Sequence, residues 1–198
     1  MAIYLFLIYG KNMHYLAWAE ISRRIIFENK ILRLVLSKQN DNTNKTAEFT
    51  LVECPDWATV IALCDMDDGQ TGVLMVYQYR VGGQELSLEF PGGMIEAGES
   101  DQAAAQRELL EETGYAADEW IKIGEINPNP SFMTNHSHTW LARGLRKVGA
   151  QNLDPEELID VRIIPLADLE SGNCPEFEVN AIMLSSWYWF QRWRKNQA

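Results

Sequence analysis

Residues 93–115 read GMIEAGESDQAAAQRELLEETGY, and this run carries most of what the sequence says about the fold. Glu108, Glu111 and Glu112 stand three and four positions apart, so a helix through them brings three carboxylates onto one face. Like charges at this spacing repel by about 0.2–0.5 kcal/mol per pair. They also precede Gly114, at the negative end of the helix dipole. A solvated acidic face is one interpretation; the stronger one is a site for a hard divalent cation such as Mg²⁺, which prefers oxygen ligands.

The residues around these glutamates predict a loop followed by a helix over residues 100–113. Gly92 and Gly93 form a loop in which the backbone can approach a ligand closely. Ser100 is a candidate N-cap, and Gly114 fits the position just beyond the helix end. Arg107 can orient a carboxylate through its forked donors. The pattern therefore places an acidic helix face over a glycine loop.

The spacing of the fixed positions in this run resembles the Nudix box in full. The positions are Gly93, five residues, Glu99, seven residues, Arg107-Glu108-Leu109, one residue, Glu111-Glu112, one residue and Gly114-Tyr115. The resemblance implies a sandwich fold of α/β/α type. It also implies Mg²⁺- or Mn²⁺-dependent hydrolysis of a nucleoside diphosphate linked to another group.

Other segments are similar to the ADP-ribose pyrophosphatases of this family, and the similarity spans roughly Trp18 to the C-terminus. The matching segments are Gln78–Arg80, Leu88–Gly93, Asn127–Pro130, His138–Ala142 and Asp154–Val161. A proline downstream of the box is associated with ADP-ribose hydrolysis, and Pro128 and Pro130 stand there. The implied reaction converts ADP-ribose to AMP and ribose 5-phosphate.

Two alternatives stay open. Another nucleotide sugar or a dinucleotide, such as GDP-mannose or NADH, would keep the chemistry and change the substrate. A non-catalytic Nudix sensor that binds ADP-ribose and regulates transcription would change the class of protein. Such a sensor needs a DNA-binding surface, which the acidic charge of this chain disfavours.

The resemblance also implies roles for individual residues. The metal ligands would be Glu108, Glu111 and Glu112, with the carbonyl of Gly92 and the carboxylate of Glu157. Relatives often take the general base from the loop that matches Asp154–Glu157. Because the position two before Glu157 is Pro155, which cannot accept a proton, the base would be Glu156 or a box glutamate, Glu111 or Glu112.

The remaining site predictions concern the substrate and Arg107. Arg80 ends an apolar strand and is a candidate phosphate ligand. Glu89 is either a substrate contact or a solvated strand residue, while Gly93 and Pro130 are further candidate substrate contacts. Arg107 is expected to support catalysis by orienting a carboxylate, with Glu99 as its structural partner.

Composition agrees with a compact enzyme. The chain has 198 residues, 46% hydrophobic, and a net charge of −11. This charge argues against a nucleic-acid or anionic-membrane partner, since both need a basic face. Three cysteines without a CxxC pattern predict free thiols in a reducing compartment, so we expect the cytoplasm.

The chain order predicts three segments. Residues 1–17 would be an extension of doubtful order, with Met13 as an alternative start; residues 18–56 a β-rich element; and residues 57–198 the hydrolase domain. Strands and helices mix without regular βαβ alternation, which predicts an α+β fold with a mixed sheet flanked by helices. An aromatic helix is expected over Glu178–Arg194. The resemblance further implies a homodimer in which the N-terminal strands cross to the partner.

Overall fold

A computed structural model describes residues 15–197, which form two compact units. The first unit contains the described residues up to Cys54 together with Asn129–Thr134, and the second contains Pro55–Pro128 and the chain from Asn135 onward. The predictions for residues 1–12 and for a start at Met13 lie outside the described residues. The assignment of Asn129–Thr134 to the first unit has no counterpart in the sequence pattern.

The first unit is an antiparallel sheet of three strands, β1 (Trp18–Glu28), β2 (Arg33–Asp41) and β3 (Thr46–Glu53). The side chain of Asn29 makes the first turn by accepting hydrogen bonds from the backbone of Ile31 and Leu32 at 2.9 and 2.8 Å. A bridge between Val52 and Met133 ties the segment Asn129–Thr134 to β3. β1 lies at the edge of this sheet and is exposed over most of its length.

The second unit is built on a mixed sheet of seven strands. Its strands are β4 (Trp57–Asp65), β5 (Thr71–Arg80), β6 (Glu85–Glu89), β7 (Gly92–Met94), β9 (Glu119–Ile126), β10 (Ser137–Arg143) and β12 (Ile159–Pro165), and a separate pair is formed by β8 (Tyr115–Ala116) and β11 (Arg146–Lys147). The main order is β12-β5-β4-β10-β9, with β6 beside β5 and β7 beside β4. Only β10 and β4 run parallel within this described sheet.

Helices cover both faces of this sheet, as the predicted α/β/α sandwich requires. They are α1 (Asp101–Thr113), α2 (Leu166–Ser171) and α3 (Ala181–Lys195), with a 3₁₀ turn at Pro175–Phe177. Alternation along β4 separates the two cores, because successive side chains of a strand point to opposite faces. Ala58 and Val60 pack with Leu109 of α1, while Ile61 packs with Phe190 of α3.

The ends of α1 agree with the sequence. The hydroxyl of Ser100 accepts a hydrogen bond from the Ala103 N–H at 3.1 Å, and Gly114 takes the left-handed conformation at φ 72°. Leu109 is fully buried, and complete burial of such a side chain contributes about 1.5–3 kcal/mol. Leu110 is 43% exposed. The buried face of α1 therefore includes Leu109 but not Leu110.

α3 begins at Ala181, three residues after the predicted start, because Asn180 caps it. The Asn180 side chain accepts a hydrogen bond from the backbone of Ile182 at 3.0 Å. Trp187 packs against the core, and the ring of Trp189 occupies the space that a side chain on Gly124 would need. The aromatic residues of this helix therefore serve packing within the unit.

None of the helices within residues 15–197 is both long enough and apolar enough to span a bilayer. Cys64 and Cys174 are free thiols, as the sequence predicts. Burial raises the pKa of both thiols, which favours their protonated form.

Candidate active site

A cavity of about 470 Å³ opens beside α1, β7 and the end of β5. Acidic groups dominate its wall. They are Glu89, Glu96, Glu108, Glu111, Glu112, Asp154 and Glu157. Two guanidinium groups, those of Arg80 and Arg107, face the same space. The cavity is therefore a place where a cation and an anionic ligand can meet.

This cavity gathers most of the residues that the sequence singled out. They are Arg80, Glu89, Gly92, Gly93, Arg107, Glu108, Glu111, Glu112 and Glu157. Glu156 is exposed and does not line the cavity, because its neighbour Glu157 takes the inward position of the loop. Pro130 belongs to the first unit, and its predicted contact with the substrate stays a prediction. Among the described residues, the cavity wall contains Glu157 in place of the predicted base Glu156.

Glu112 is the most buried carboxylate of the box, with 3% of its surface exposed. One oxygen accepts a hydrogen bond from the Gly92 N–H at 2.8 Å. Burial raises the pKa of Glu112 well above its usual range; the Gly92 N–H opposes this shift, while the charges of Glu108 and Glu157 add to it. The fold therefore holds this group where its negative charge is uncompensated.

Arg107 organises the other box carboxylates. It bonds Glu99 at 3.0–3.1 Å, Glu108 at 2.8 Å and Glu111 at 3.1 Å, and it donates to the Met94 carbonyl at 2.9 Å. These contacts agree with the predicted orienting role. Burial nevertheless raises the pKa of Glu108, against the opposing effect of Arg107.

The two loop glycines allow the backbone to pass close to its neighbours. A Cβ on Gly93 would overlap the carboxylate of Glu108, and one on Gly92 would overlap the carbonyl oxygen of Ala58. The sequence predicts that the backbone of this loop approaches another group closely, and it predicts that this group is a ligand. In the structure, the box helix and β4 are what approach the loop.

Arg80 and Glu89 form a buried-to-surface ion pair at the edge of the cavity. The Arg80 Nε and Nη2 atoms donate to the two carboxylate oxygens at 2.8 and 2.5 Å. Burial alone would raise the pKa of Glu89, but the hydrogen bonds and charge of Arg80 outweigh it and lower that pKa. The Glu89 side chain is only 2% exposed, so its interpretation as a solvated strand residue is wrong.

The residue types around the cavity fit a divalent cation. Glu108, Glu111, Glu112 and Glu157 supply oxygen donors, which Mg²⁺ and Mn²⁺ prefer. Within residues 15–197, however, no three acidic, histidine or cysteine side chains converge closely enough to enclose an ion. Arg107 and the Gly92 N–H instead hold the box carboxylates through hydrogen bonds. The pKa values of Glu108 and Glu112 are raised because burial disfavours their negative charge. A bound cation would neutralise that charge.

Comparison with known proteins decides the family. The NUDIX domain matches residues 55–185. The chain belongs to the Nudix family. This Nudix chain is 31% identical to the ADP-ribose pyrophosphatase of Bacillus subtilis over 149 residues, which cover 75% of this chain and 78% of that one. It is 30% identical over 137 residues to the methanol dehydrogenase activator of Bacillus methanolicus, covering 69% and 72% of the two chains.

A solved structure confirms the Nudix fold. The crystal structure of an ADP compounds hydrolase matches with a TM-score of 0.77 at 20% sequence identity, covering 94% of this chain and 99% of that one. The resemblance of residues 93–115 to the Nudix box is thereby confirmed. This protein is a Nudix pyrophosphohydrolase related to ADP-ribose pyrophosphatases, an enzyme family that uses divalent metal ions.

Several residues of the Nudix cavity escaped the sequence analysis. They are Trp57, Thr59, Gln78, Asn152, Asn180, Ile182 and Met183. Asn180 caps α3, and its side chain also helps to lower the pKa of Glu89. An asparagine before an apolar helical run is a recognisable cap signal, so its first role was open to prediction. Its second role depends on β6 reaching the same place, which no local pattern encodes.

Proposed function

We propose that this Nudix hydrolase cleaves the pyrophosphate of ADP-ribose to AMP and ribose 5-phosphate, with Mg²⁺ or Mn²⁺ as cofactor. The observation that carries the proposal is the buried carboxylate of Glu112, held beside Glu108 and Glu157 with its pKa raised. Strongly perturbed groups in a cleft mark functional sites. The similarity to the Bacillus subtilis ADP-ribose pyrophosphatase supports the choice of substrate.

The cation would be held by the carboxylates of Glu108, Glu111 and Glu112 and by the Gly92 carbonyl. When bound, a divalent ion neutralises phosphate charge and lowers the pKa of its water. Arg107 contributes by fixing Glu108 and Glu111 from one side, so that few side-chain rotations remain to be lost. The Gly92 N–H orients Glu112 in the same way.

Arg80 would bind a phosphate of the substrate. Its Nε and one Nη2 hydrogen are taken by Glu89, and among residues 15–197 its Nη1 group has no hydrogen-bond acceptor. Because Glu89 is buried and Arg80 is about half exposed, the pair presents a guanidinium whose position is set before the substrate arrives. An anionic group is therefore attracted to the edge of a strongly acidic cavity.

We assign proton removal from the attacking water to Glu157. It lies on the loop before β12, faces the cavity, and has one oxygen that accepts a hydrogen bond from the Asp154 N–H at 3.0 Å. The adjacent Glu156 points to solvent and serves as a matched control.

Two variants test this assignment. Glu157→Gln is expected to lower kcat by about 10²–10⁴-fold, the usual contribution of general base catalysis. Glu156→Gln should turn over substrate like the parent. Equal losses in both variants, or a loss only in Glu156→Gln, would return the base to the position expected from the sequence.

The test of the whole proposal is a turnover assay with Mg²⁺ against ADP-ribose, GDP-mannose and NADH, with nucleotide products resolved by chromatography. AMP from ADP-ribose, lost on chelation and in Glu112→Gln, is the expected result. Turnover of GDP-mannose or NADH alone would retain the chemistry and replace the substrate. If calorimetry detects binding of ADP-ribose and no cleavage follows, the result would favour the non-catalytic sensor.

We also propose that residues 18–56 form a dimer element. β1 exposes Ile21, Ile25, Ile26 and Phe27 by 46–56%, and within the described residues its outer edge pairs with no strand. An exposed apolar edge strand favours association. Light scattering should give twice the 22.7 kDa chain mass, and Ile25→Lys should give the monomer. A monomeric parent would refute the dimer without affecting the chemistry.

A further inference from the structure

The chain between β11 and β12, residues 148–158, lies against the C-terminal end of α1. This helix carries the box glutamates, yet its last turn contains no basic residue. The final carbonyl groups of a helix have no partner within it and must find donors elsewhere. Lys147 donates to the Thr113 carbonyl at 2.7 Å, and Gln151 donates to the Glu112 carbonyl at 2.7 Å. Distant residues therefore complete the helix end.

The contact continues along the backbone. The Asn152 N–H donates to the carbonyl of Glu111 at 2.8 Å, so three consecutive carbonyls of α1 each receive one donor from residues 147–152. Val148 and Gly149 donate to the Gly114 carbonyl at 2.9 and 3.2 Å. A Cβ on Gly114 would overlap the carbonyl of Gly149. The two segments thus touch at the position where the chain takes its left-handed turn.

Charge favours the same arrangement. The Lys147 ammonium group stands at the negative end of the helix dipole, where a cation is stabilising. It also lies 4.8 Å from the centroid of the Tyr115 ring. Because the last turn of α1 contains two acidic residues, a basic partner stabilises this end of the helix.

Gln151 connects two parts of the cavity. Its amide nitrogen donates both to the Glu112 carbonyl and, at 3.2 Å, to the carbonyl of Ile159, the first residue of β12. One side of this bridge carries the box carboxylates. The other side is the chain that brings Glu157 to the cavity. The position of Glu157 relative to Glu112 is therefore set in part by one neutral side chain outside the cavity wall.

We propose that Lys147 and Gln151 are positioning residues that fix the C-terminal turn of α1, and with it the box carboxylates, for the binding of a divalent cation. The inference rests on the proposed role of these carboxylates. Partners that orient metal ligands without touching the metal change affinity for the ion by about 10–100-fold. Lys147 and Gln151 act on the ligands through the helix backbone, so their loss should weaken cation binding even where the helix stays folded.

The test compares Lys147→Met and Gln151→Met with Lys147→Arg, which keeps a donor and the charge. Gln106→Met, an exposed position on the same helix, is the matched control. Binding of Mn²⁺ to the full chain without substrate is followed by the electron paramagnetic resonance signal of the free ion. Thermal melting in chelator reports folding. We expect the Mn²⁺ dissociation constant to rise about 10-fold or more in both methionine variants, with Lys147→Arg and Gln106→Met close to the parent.

A second readout separates positioning from stability. With saturating Mn²⁺, the methionine variants should regain most of their kcat for ADP-ribose, while their KM for ADP-ribose stays within about twofold of the parent. If Gln151→Met does not fold, Lys147→Met carries the same test from an exposed position. Parent-like Mn²⁺ affinity in folded variants that merely melt earlier would overturn the inference, and so would a parent that binds no Mn²⁺. If the parent protein binds Mn²⁺ but does not cleave ADP-ribose, the proposed substrate is refuted and the positioning role of Lys147 and Gln151 is not.

Discussion

The pair of Arg80 and Glu89 gives the sharpest prediction about this site. Glu89→Gln removes one charge and leaves the side-chain shape nearly unchanged. The Glu89 side chain is 2% exposed and uses both oxygens to bind Arg80. The glutamine can accept only through its single oxygen, because its amide nitrogen faces a guanidinium that has no acceptor. One hydrogen bond is therefore lost and the other becomes weaker.

The magnitude follows from these contacts. A hydrogen bond to a charged group contributes about 1.5–3 kcal/mol, and a neutral one about 0.5–1.5 kcal/mol. Arg80 is 48% exposed, so water replaces part of the loss. We expect a net destabilisation of about 2 kcal/mol. For a chain of this size that lowers Tm by about 4–8 °C.

The pH dependence has a definite sign. The pKa of Glu89 in the folded protein lies below the usual glutamate value, so its contribution to stability is present above that usual value and is lost as the pH falls through the folded pKa. The difference in Tm between parent and variant should be largest near neutral pH and should shrink in acid. Glu85→Gln, an exposed position on the same strand, should leave Tm unchanged at every pH.

The assay is differential scanning calorimetry in chelator, together with steady-state kinetics on ADP-ribose. Because Arg80 loses its fixed partner, KM for ADP-ribose should rise about 10-fold while kcat changes less. Two results would refute the reasoning: a Tm difference that grows as the pH falls, or a Glu89→Gln variant that melts with the parent near neutral pH.

Three further predictions concern other parts of the protein. In chelator, Glu112→Gln should raise Tm at any pH above the usual glutamate pKa, because the variant removes a buried and unfavourable charge. Turnover should fall at least about 100-fold. An unchanged or lower Tm would contradict the charge argument. Gly124→Ala should destabilise by about 1–3 kcal/mol in urea unfolding, since its methyl group would meet the ring of Trp189, whereas Gly82→Ala, in open space, should not. Chelation should abolish turnover and leave the far-ultraviolet circular dichroism spectrum unchanged, because both cores pack through apolar side chains that are separate from the carboxylates. Loss of the spectrum would show that the ion is structural.

Some features of the site were open to prediction because their signals are local. α1 follows from a cap at Ser100, a left-handed glycine at Gly114 and helical spacing of the glutamates, all within fifteen residues. The strand β4 also has a local signal, because a short apolar run such as Trp57–Asp65 is typical of a buried strand. β7, β8 and β11 were missed, because strands of two or three residues are too short to show any period.

Glu156 shows where sequence reasoning reaches its limit. It was assigned by its place in a pattern, and among the described residues the cavity wall contains its neighbour Glu157 instead. In a loop, adjacent side chains differ in direction according to backbone angles that no period specifies. The inward position went to Glu157, whose oxygen is held by the Asp154 N–H.

The sequence by itself determined the family, the sandwich fold and the helix that carries the acidic face. These depend on interactions between residues a few positions apart, and such interactions leave a readable spacing. The tertiary structure alone decided that Glu89 holds Arg80, and that Lys147 and Gln151 complete the end of α1. Those partners are brought together by the packing of strands and loops around one sheet. Their pairing therefore depends on the tertiary fold, and no local sequence pattern predicts it.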